Sequence, residues 1–384
     1  MSLGLSPHLP LNFTLASRNL FQDRLRFAAT TVGIVFSVVL VMVQMGLYLG
    51  FGRMVTTMIA HTNADLWVMR QGTKCFEDPS LLGDMQKDIL GVKGVASASP
   101  LVIGFSDWRL STGEMTPVFL VGSNLSRNDL KPWNVVAGST KALDQPGAVA
   151  VDATYDKRLG LNGLGTKANI RGQKVHVVAL THGIRSFTTT PFVFADIGHA
   201  RKFIGLPKSV ASYYLIKLKP DADLQTVQHD LKTSLSKVDV LTTAQFAERS
   251  RHFWLFTTGA GAALFAGALL GLIVGTVIVA QTLYSSTKDH LPEFATLRAM
   301  GSSNRYIYSV IMYQALLNAV IGFCLASVVG FGVVALTTNG ALPVTITPTL
   351  MAAIFALTLV MCVLSAFAAI ARVVRIDPVV VFTQ

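Results

Sequence analysis

Residues 253–287, FWLFTTGAGAALFAGALLGLIVGTVIVAQTLYSST, contain no Asp, Glu, Lys or Arg. A bilayer core about 30 Å thick is crossed by roughly 20 helical residues, so this stretch holds one span with residues to spare. Two further charge-free windows flank it, Phe27 to Gly52 and Tyr306 to Ala371. The second is long enough for two spans, divided by the turn-rich run Thr337-Thr338-Asn339-Gly340-Ala341-Leu342-Pro343 and closed by Pro348. The sequence therefore predicts spans at 27–52, 254–284, 307–337 and 349–371. Four buried helices of a soluble core would have to be unusually long and free of charge. Composition points the same way: 51% of residues are hydrophobic, 14% are charged and the mean hydropathy is +0.51, whereas soluble domains carry about 25% charge.

Orientation is read from the short loops, where Lys and Arg mark the cytoplasmic side. Residues 1–26 carry Arg18, Arg24 and Arg26, the 285–306 loop carries Lys288, Arg298 and Arg305, and the 372–384 tail carries Arg372 and Arg375. The 338–348 loop has no charge. Both termini are thus expected in the cytoplasm and residues 53–253 outside it. The long apolar stretch at the N-terminal end, with no small-residue cleavage site close behind, reads as a retained span rather than a cleavable signal. The formal charge of +11 lies mostly in the outer domain. It is dispersed there without a basic run, which fits anionic lipid head groups better than nucleic acid.

Residues 11–26 read as an interfacial helix, with Leu15, Leu20, Phe21 and Leu25 toward lipid and Arg18, Gln22 and Arg26 toward water, turning into the first span at Thr30-Thr31. In the outer domain, strands are expected at 65–70, 101–105, 116–122, 147–151, 174–180, 191–195 and 211–218, and helices at 79–90, 196–205 and 221–236. The fold class is an α-helical membrane protein with four transmembrane helices plus an α+β extracytoplasmic (periplasmic) domain, for which two lobes are one expectation. As one helix, 253–287 would reach about 50 Å, long enough to rise from the membrane as a stalk. Gly267, Gly271 and Gly275, and Gly322, Ala326 and Gly330, recur at four-residue spacing. Such stripes let helix backbones approach closely in lipid, either between two chains or within one bundle.

No site for chemistry emerges. The chain has no Gly-Lys pair and hence no Gly-x-x-x-x-Gly-Lys-Ser/Thr loop to cradle nucleotide phosphates. His176 and His182 have no cysteine or clustered carboxylate to complete a metal site, and no catalytic or metal residue is expected. Trp67, Trp108 and Trp133 read as core residues rather than as contacts for an adaptor or lipid. Cys75 stands alone in the outer domain.

The loop after the second span is the most specific stretch. Between Asp289, a capping residue, and Gly301, a helix stop, lies a short helix with Leu291, Phe294 and Leu297 along one side and Glu293 and Arg298 among its polar positions. Its apolar stripe wants a partner, or docks on the bundle's own underside. Glu293-x-x-x-Leu297-Arg298-Ala299-x-Gly301 resembles the coupling-helix region of FtsX/MacB-type (type VII) ABC transporter permeases. Arg18-Asn19-Leu20 with Leu25-Arg26 and Gly33-Ile34 is similar to the family's N-terminal elbow, and Arg375-x-Asp377-Pro378 to its tail. The run Asp289-His290-x-x-Glu293-x-Ala295-Thr296-Leu297 looks most like DevC-type exporter permeases. Unlike MacB, the chain carries no fused ATPase.

The resemblance implies a non-catalytic membrane subunit in the bacterial inner membrane, paired as a homodimer with two ATPase subunits that bind ATP and Mg. It implies mechanotransmission through Leu291, Glu293, Phe294, Leu297, Arg298 and Gly301, and for a DevC-like protein a HlyD-like periplasmic adaptor and a TolC-like outer-membrane channel. The alternatives are an FtsX-like activator of a periplasmic cell-wall hydrolase and a membrane-tethered binding module.

Overall fold

The computed structural model describes residues 11–78, 80–110, 112–125, 129–188, 190–289, 296, 304–337 and 344–373. In chain order the elements are α1 (Leu11–Gln22), α2 (Arg24–Met54), β1 (Leu66–Arg70), α3 (Gln86–Gly91), β2 (Val95–Arg109), β3 (Met115–Ser123), β4 (Val135–Gly138), β5 (Ala148–Asp152), β6 (Lys167–Ile170), β7 (Gln173–Thr181), β8 (Phe192–Asp196), α4 (Ile197–Ile204), β9 (Tyr213–Leu218), α5 (Leu224–Ser234), β10 (Val238–Thr242), α6 (Thr243–His252), α7 (Ala260–Asp289), α8 (Asn304–Thr337) and α9 (Pro348–Val373). They form two compact units, one of residues up to Gly50 and from Ala262 onward, the other Phe51–Gly261.

In the membrane unit, α2, α7, α8 and α9 are, among the described residues, four helices long and apolar enough to cross a bilayer. The turn after the elbow lies at Asp23, not at Thr30-Thr31. Asp23 Oδ1 accepts from the Arg26 amide at 3.1 Å, which starts the long helix there because a carboxylate satisfies its free N–H groups. The elbow α1 packs on α8, with Phe13 edge-on to Tyr313 at 6.0 Å. Ala16 is buried and Leu15 joins the bundle core, while Phe21 and Leu25 remain exposed. The helix expected to run unbroken over 253–287 is interrupted. Phe253–Thr257 form a π-turn, Gly259 takes a left-handed φ of 77°, and α7 begins at Ala260.

The outer unit has two lobes sharing one strand. In the first, the antiparallel order β10-β1-β9-β2, with α3 between β1 and β2 and α5 between β9 and β10, is a ferredoxin-like split βαβ. Its helix-side core gathers Ile89, Tyr214, Ile216, Val227 and Leu231. In the second, pairing runs β2-β3-β8-β5-β7-β6 and returns to β2, closing a six-stranded barrel. Closure leaves no free edge among those six strands, and Trp108, Leu120, Val149, Ile170, Val175 and Val193 fill the interior. A third cluster, including Trp67, Met69, Ile103, Phe119, Phe192 and Tyr213, lies between the lobes. Trp67 and Trp108 are fully buried and Trp133 is partly buried.

Candidate functional sites in the membrane and outer units

The small-residue stripes of the second and third spans converge on α2 of the same chain. A Cβ added at Gly267 would lie 2.8 Å from Gln44 Nε2, and one at Gly271 would lie 3.0 Å from Leu40 Cδ2. At Gly275 it would overlap Ser37 and come within 2.8 Å of Met361 Sδ. On the third span, Gly322 faces Ile34, Gly330 faces Met42, and Ala326 is fully buried. The five glycines are where α7 and α8 close on the first span.

The spans bury polar side chains that the charge-free windows conceal. Gln314 and Asn318, one helical turn apart on α8, are 3% and 2% exposed, and Ser37, Thr358 and Ser365 are also buried. Ser365 Oγ donates to the Thr276 carbonyl at 2.9 Å, tying α9 to α7. The recurrence Gln314-x-x-x-Asn318 is the sequence signal for this polar face, one that charge-free windows do not register. At the end of α7, Asp289 pairs with Arg26, which also reaches Asp23 at 3.4 Å. The ion pair joins the start of the first span to the last residue before the coupling segment. Leu291, Glu293, Phe294, Leu297, Arg298 and Gly301 lie outside the described residues.

In the outer unit a cavity of about 380 Å³ opens beside the loop Lys74–Asp78. The Tyr213 hydroxyl, within reach of the Cys75 and Phe76 carbonyls at 3.1 and 2.9 Å, pins this loop. Trp254, in the π-turn, donates to Glu77 Oε2 at 3.3 Å and packs at a tilt against Phe187, ring centroids 4.1 Å apart, which meets Phe51 at 5.2 Å. The two ends of the outer unit are thereby bridged through aromatic rings. Burial pushes the Cys75 thiol up to about 12, with the Glu77 charge adding to it, so no reactive thiolate forms there.

Burial also raises the Glu77 carboxyl from 4.5 to about 7, against the lowering effect of its hydrogen bonds. Part of its surface still opens to the cavity, which limits the energetic consequence. A folded-state value above the unfolded one means that the native form holds a proton the unfolded form releases between these values. Stability from this group is therefore present at low pH and lost as pH rises toward 7. Glu77→Gln, neutral throughout and still an acceptor for Trp254, is expected to unfold at higher temperature than the parent at pH 8. The gain is about 1–3 kcal/mol and vanishes near pH 4, as thermal melts across pH will read.

Comparison with known proteins places these features. The pattern of the MacB-like periplasmic core domain matches residues 27–234, and that of the FtsX-like permease C-terminal region matches residues 253–378. The chain belongs to the FtsX/MacB family of ABC transporter permeases. Uncharacterized ABC transporter permeases of Mycobacterium tuberculosis and Mycobacterium bovis are 24% identical over 379 residues, covering 94% of this chain and 96% of theirs. The periplasmic region of MacB from Actinobacillus actinomycetemcomitans is similar over 51% of this chain and 96% of its own, at 10% identity and TM-score 0.38. The extracellular domain of the ABC-type transporter YknZ from Gram-positive bacteria is similar over 47% and 99%, at 15% identity and TM-score 0.34. An FtsX/MacB permease is a multi-pass membrane protein that works with an ATPase, so a nucleotide-binding partner is implied for this chain.

Proposed function

We propose that this permease is the force-transmitting subunit of an exporter in the bacterial inner membrane, with both termini in the cytoplasm. Two copies pair with two separate ATPase subunits, which bind the ATP and Mg. ATP-driven closure of the ATPases moves the 290–300 segment, and the outer domain responds on the periplasmic side. The cargo, a lipid, glycolipid or other exported molecule, passes by way of a HlyD-like adaptor and a TolC-like outer-membrane channel rather than between the spans.

The observation that carries this reading is α7. It is one uninterrupted 30-residue helix between Gly259, at the end of the outer unit, and Asp289, just before the coupling segment. At 1.5 Å per residue it is about 45 Å long, and glycine contacts hold its middle, from Gly267 to Ile278, against α2. A stiff rod attached at both ends passes displacement along its axis. Affinity purification at native expression, read by mass spectrometry, is expected to recover an ABC ATPase and a HlyD-like adaptor. Recovery of no nucleotide-binding subunit would remove the proposal.

A further inference from the structure

Three of the outer domain's basic side chains, Arg109, Lys167 and Lys174, meet on one outer face of the barrel. Residues directly opposite in antiparallel strands share a face. The register sets Arg109 opposite Asn169 and Asn169 opposite Lys174, with Lys167 opposite His176 in the next row. The other face of the same strands carries Trp108, Ile170 and Val175, all buried. Arg109, Asn169, Lys174, Lys167 and His176 line a single hollow of about 530 Å³.

Among the described residues no carboxylate forms an ion pair with Arg109, Lys167 or Lys174, and the Arg109 guanidinium meets only Met115 Sδ, at 3.3 Å. Asp107 shares the face by alternation and lines the adjoining hollow together with Arg109, Asn169 and Arg171, so one carboxylate lies on this face without forming an ion pair among the described residues. Arg171 occupies the β6–β7 turn at φ 48°, a left-handed position that usually takes Asn, Asp or Gly. Like charges on one face destabilise a sheet, and this face keeps them.

We propose that the hollow binds a phosphoryl group carried on an organic body. Arg109 and Lys174 flank Asn169 at one strand spacing each, roughly 10 Å apart, so their long side chains can converge on an anion over the Asn169 amide. A guanidinium fork, an amide and an ammonium approaching from three directions suit three terminal oxygens, whereas a carboxylate would be satisfied by the arginine alone. The hollow far exceeds one phosphoryl group, and Leu110 and Pro146 on its lining offer walls for the remainder of the ligand. The shared chemistry is that of a phospholipid head group or a soluble phosphate ester.

The test uses the full chain in phosphatidylcholine nanodiscs, titrated with inorganic pyrophosphate, and a flotation assay with vesicles containing phosphatidic acid. Binding of at least one probe is expected, vesicles alone indicating a head group and pyrophosphate alone a soluble ester. Arg109→Gln with Lys174→Gln, and separately Lys167→Gln, leave the barrel core untouched. The double variant is expected to weaken binding at least about ten-fold, and Lys167→Gln to weaken it less. Lys208→Gln with Lys219→Gln removes the same charge elsewhere on the outer unit and is expected to cost less than about two-fold. Equal losses in the two double variants, malonate binding as tightly as pyrophosphate, or no binding of either probe would overturn the proposal. The result is independent of force transmission: purification that recovers no ATPase subunit removes only the earlier reading, and binding by the isolated chain leaves this site standing.

Discussion

Replacing Phe294 and Leu297 together by Asp is expected to abolish both transport and co-purification of the ATPase while leaving the protein folded. Both residues belong to the apolar pattern that the sequence alone shows between Asp289 and Gly301. A contact that takes up such a stripe must desolvate whatever replaces it, and each unpaired carboxylate would cost several kcal/mol. With 1.4 kcal/mol to each tenfold, affinity for the ATPase falls by about a hundred-fold or more. The bundle core is made by α2, α7, α8, α9 and the elbow, so thermal unfolding of the isolated permease is expected to change little. Unchanged ATPase recovery would remove the coupling role from this segment.

The second large effect is expected at the seam between α8 and α2. Gly330→Leu drives a side chain into Met42, which is itself fully buried. Overpacking a close helix contact costs about 1–3 kcal/mol and sometimes more; in lipid, where close backbone approach supplies much of the association, the cost falls on the bundle itself. Loss of monodisperse protein in detergent, or a melting temperature lowered by several degrees, is the expected readout. Gly332→Leu is the control, since nothing lies within 4 Å of a Cβ there. If the two variants behave alike, this contact does not hold the bundle together.

The spans were legible because a bilayer demands long charge-free helices, and no tertiary contact can override that demand. Their ends were less so. Asp23, a cap ahead of the first apolar window, and Gly259, a left-handed residue inside the second, set boundaries that hydropathy does not mark. In the outer domain the apolar strands were readable, but β2 runs over Val95–Arg109 rather than 101–105. Pro100 and Gly104 look like breaks along the chain, yet Pro100 keeps its register opposite Tyr214 and Gly104 makes room for Ile204. The short strands β4, β6 and β10 and the polar helix α6 were passed over because they lack strong periodicity. For α6 the signal was present: Thr242 and Gln245 form a capping box.

The candidate sites divide along the same line. Glycine spacing exposed the stripes, but nothing local could say that their partner was the first span. The barrel's basic face was hidden because Arg109, Asn169 and Lys174 come together only when three strands find their register. Glu77 and Trp254, 177 residues apart, left no trace in the linear order.

The long strand β2 belongs to both lobes of the outer unit at once, pairing with β9 through Leu101 and with β3 from Val102 onward. Bending it at that junction would break ladder hydrogen bonds on both sides and pull apart the aromatic seam around Phe119 and Tyr213. The two lobes are therefore locked to each other through one continuous strand. The outer unit holds its internal shape by that strand, while the helical run at its C-terminal end is broken at the non-helical residues Thr258 and Gly259.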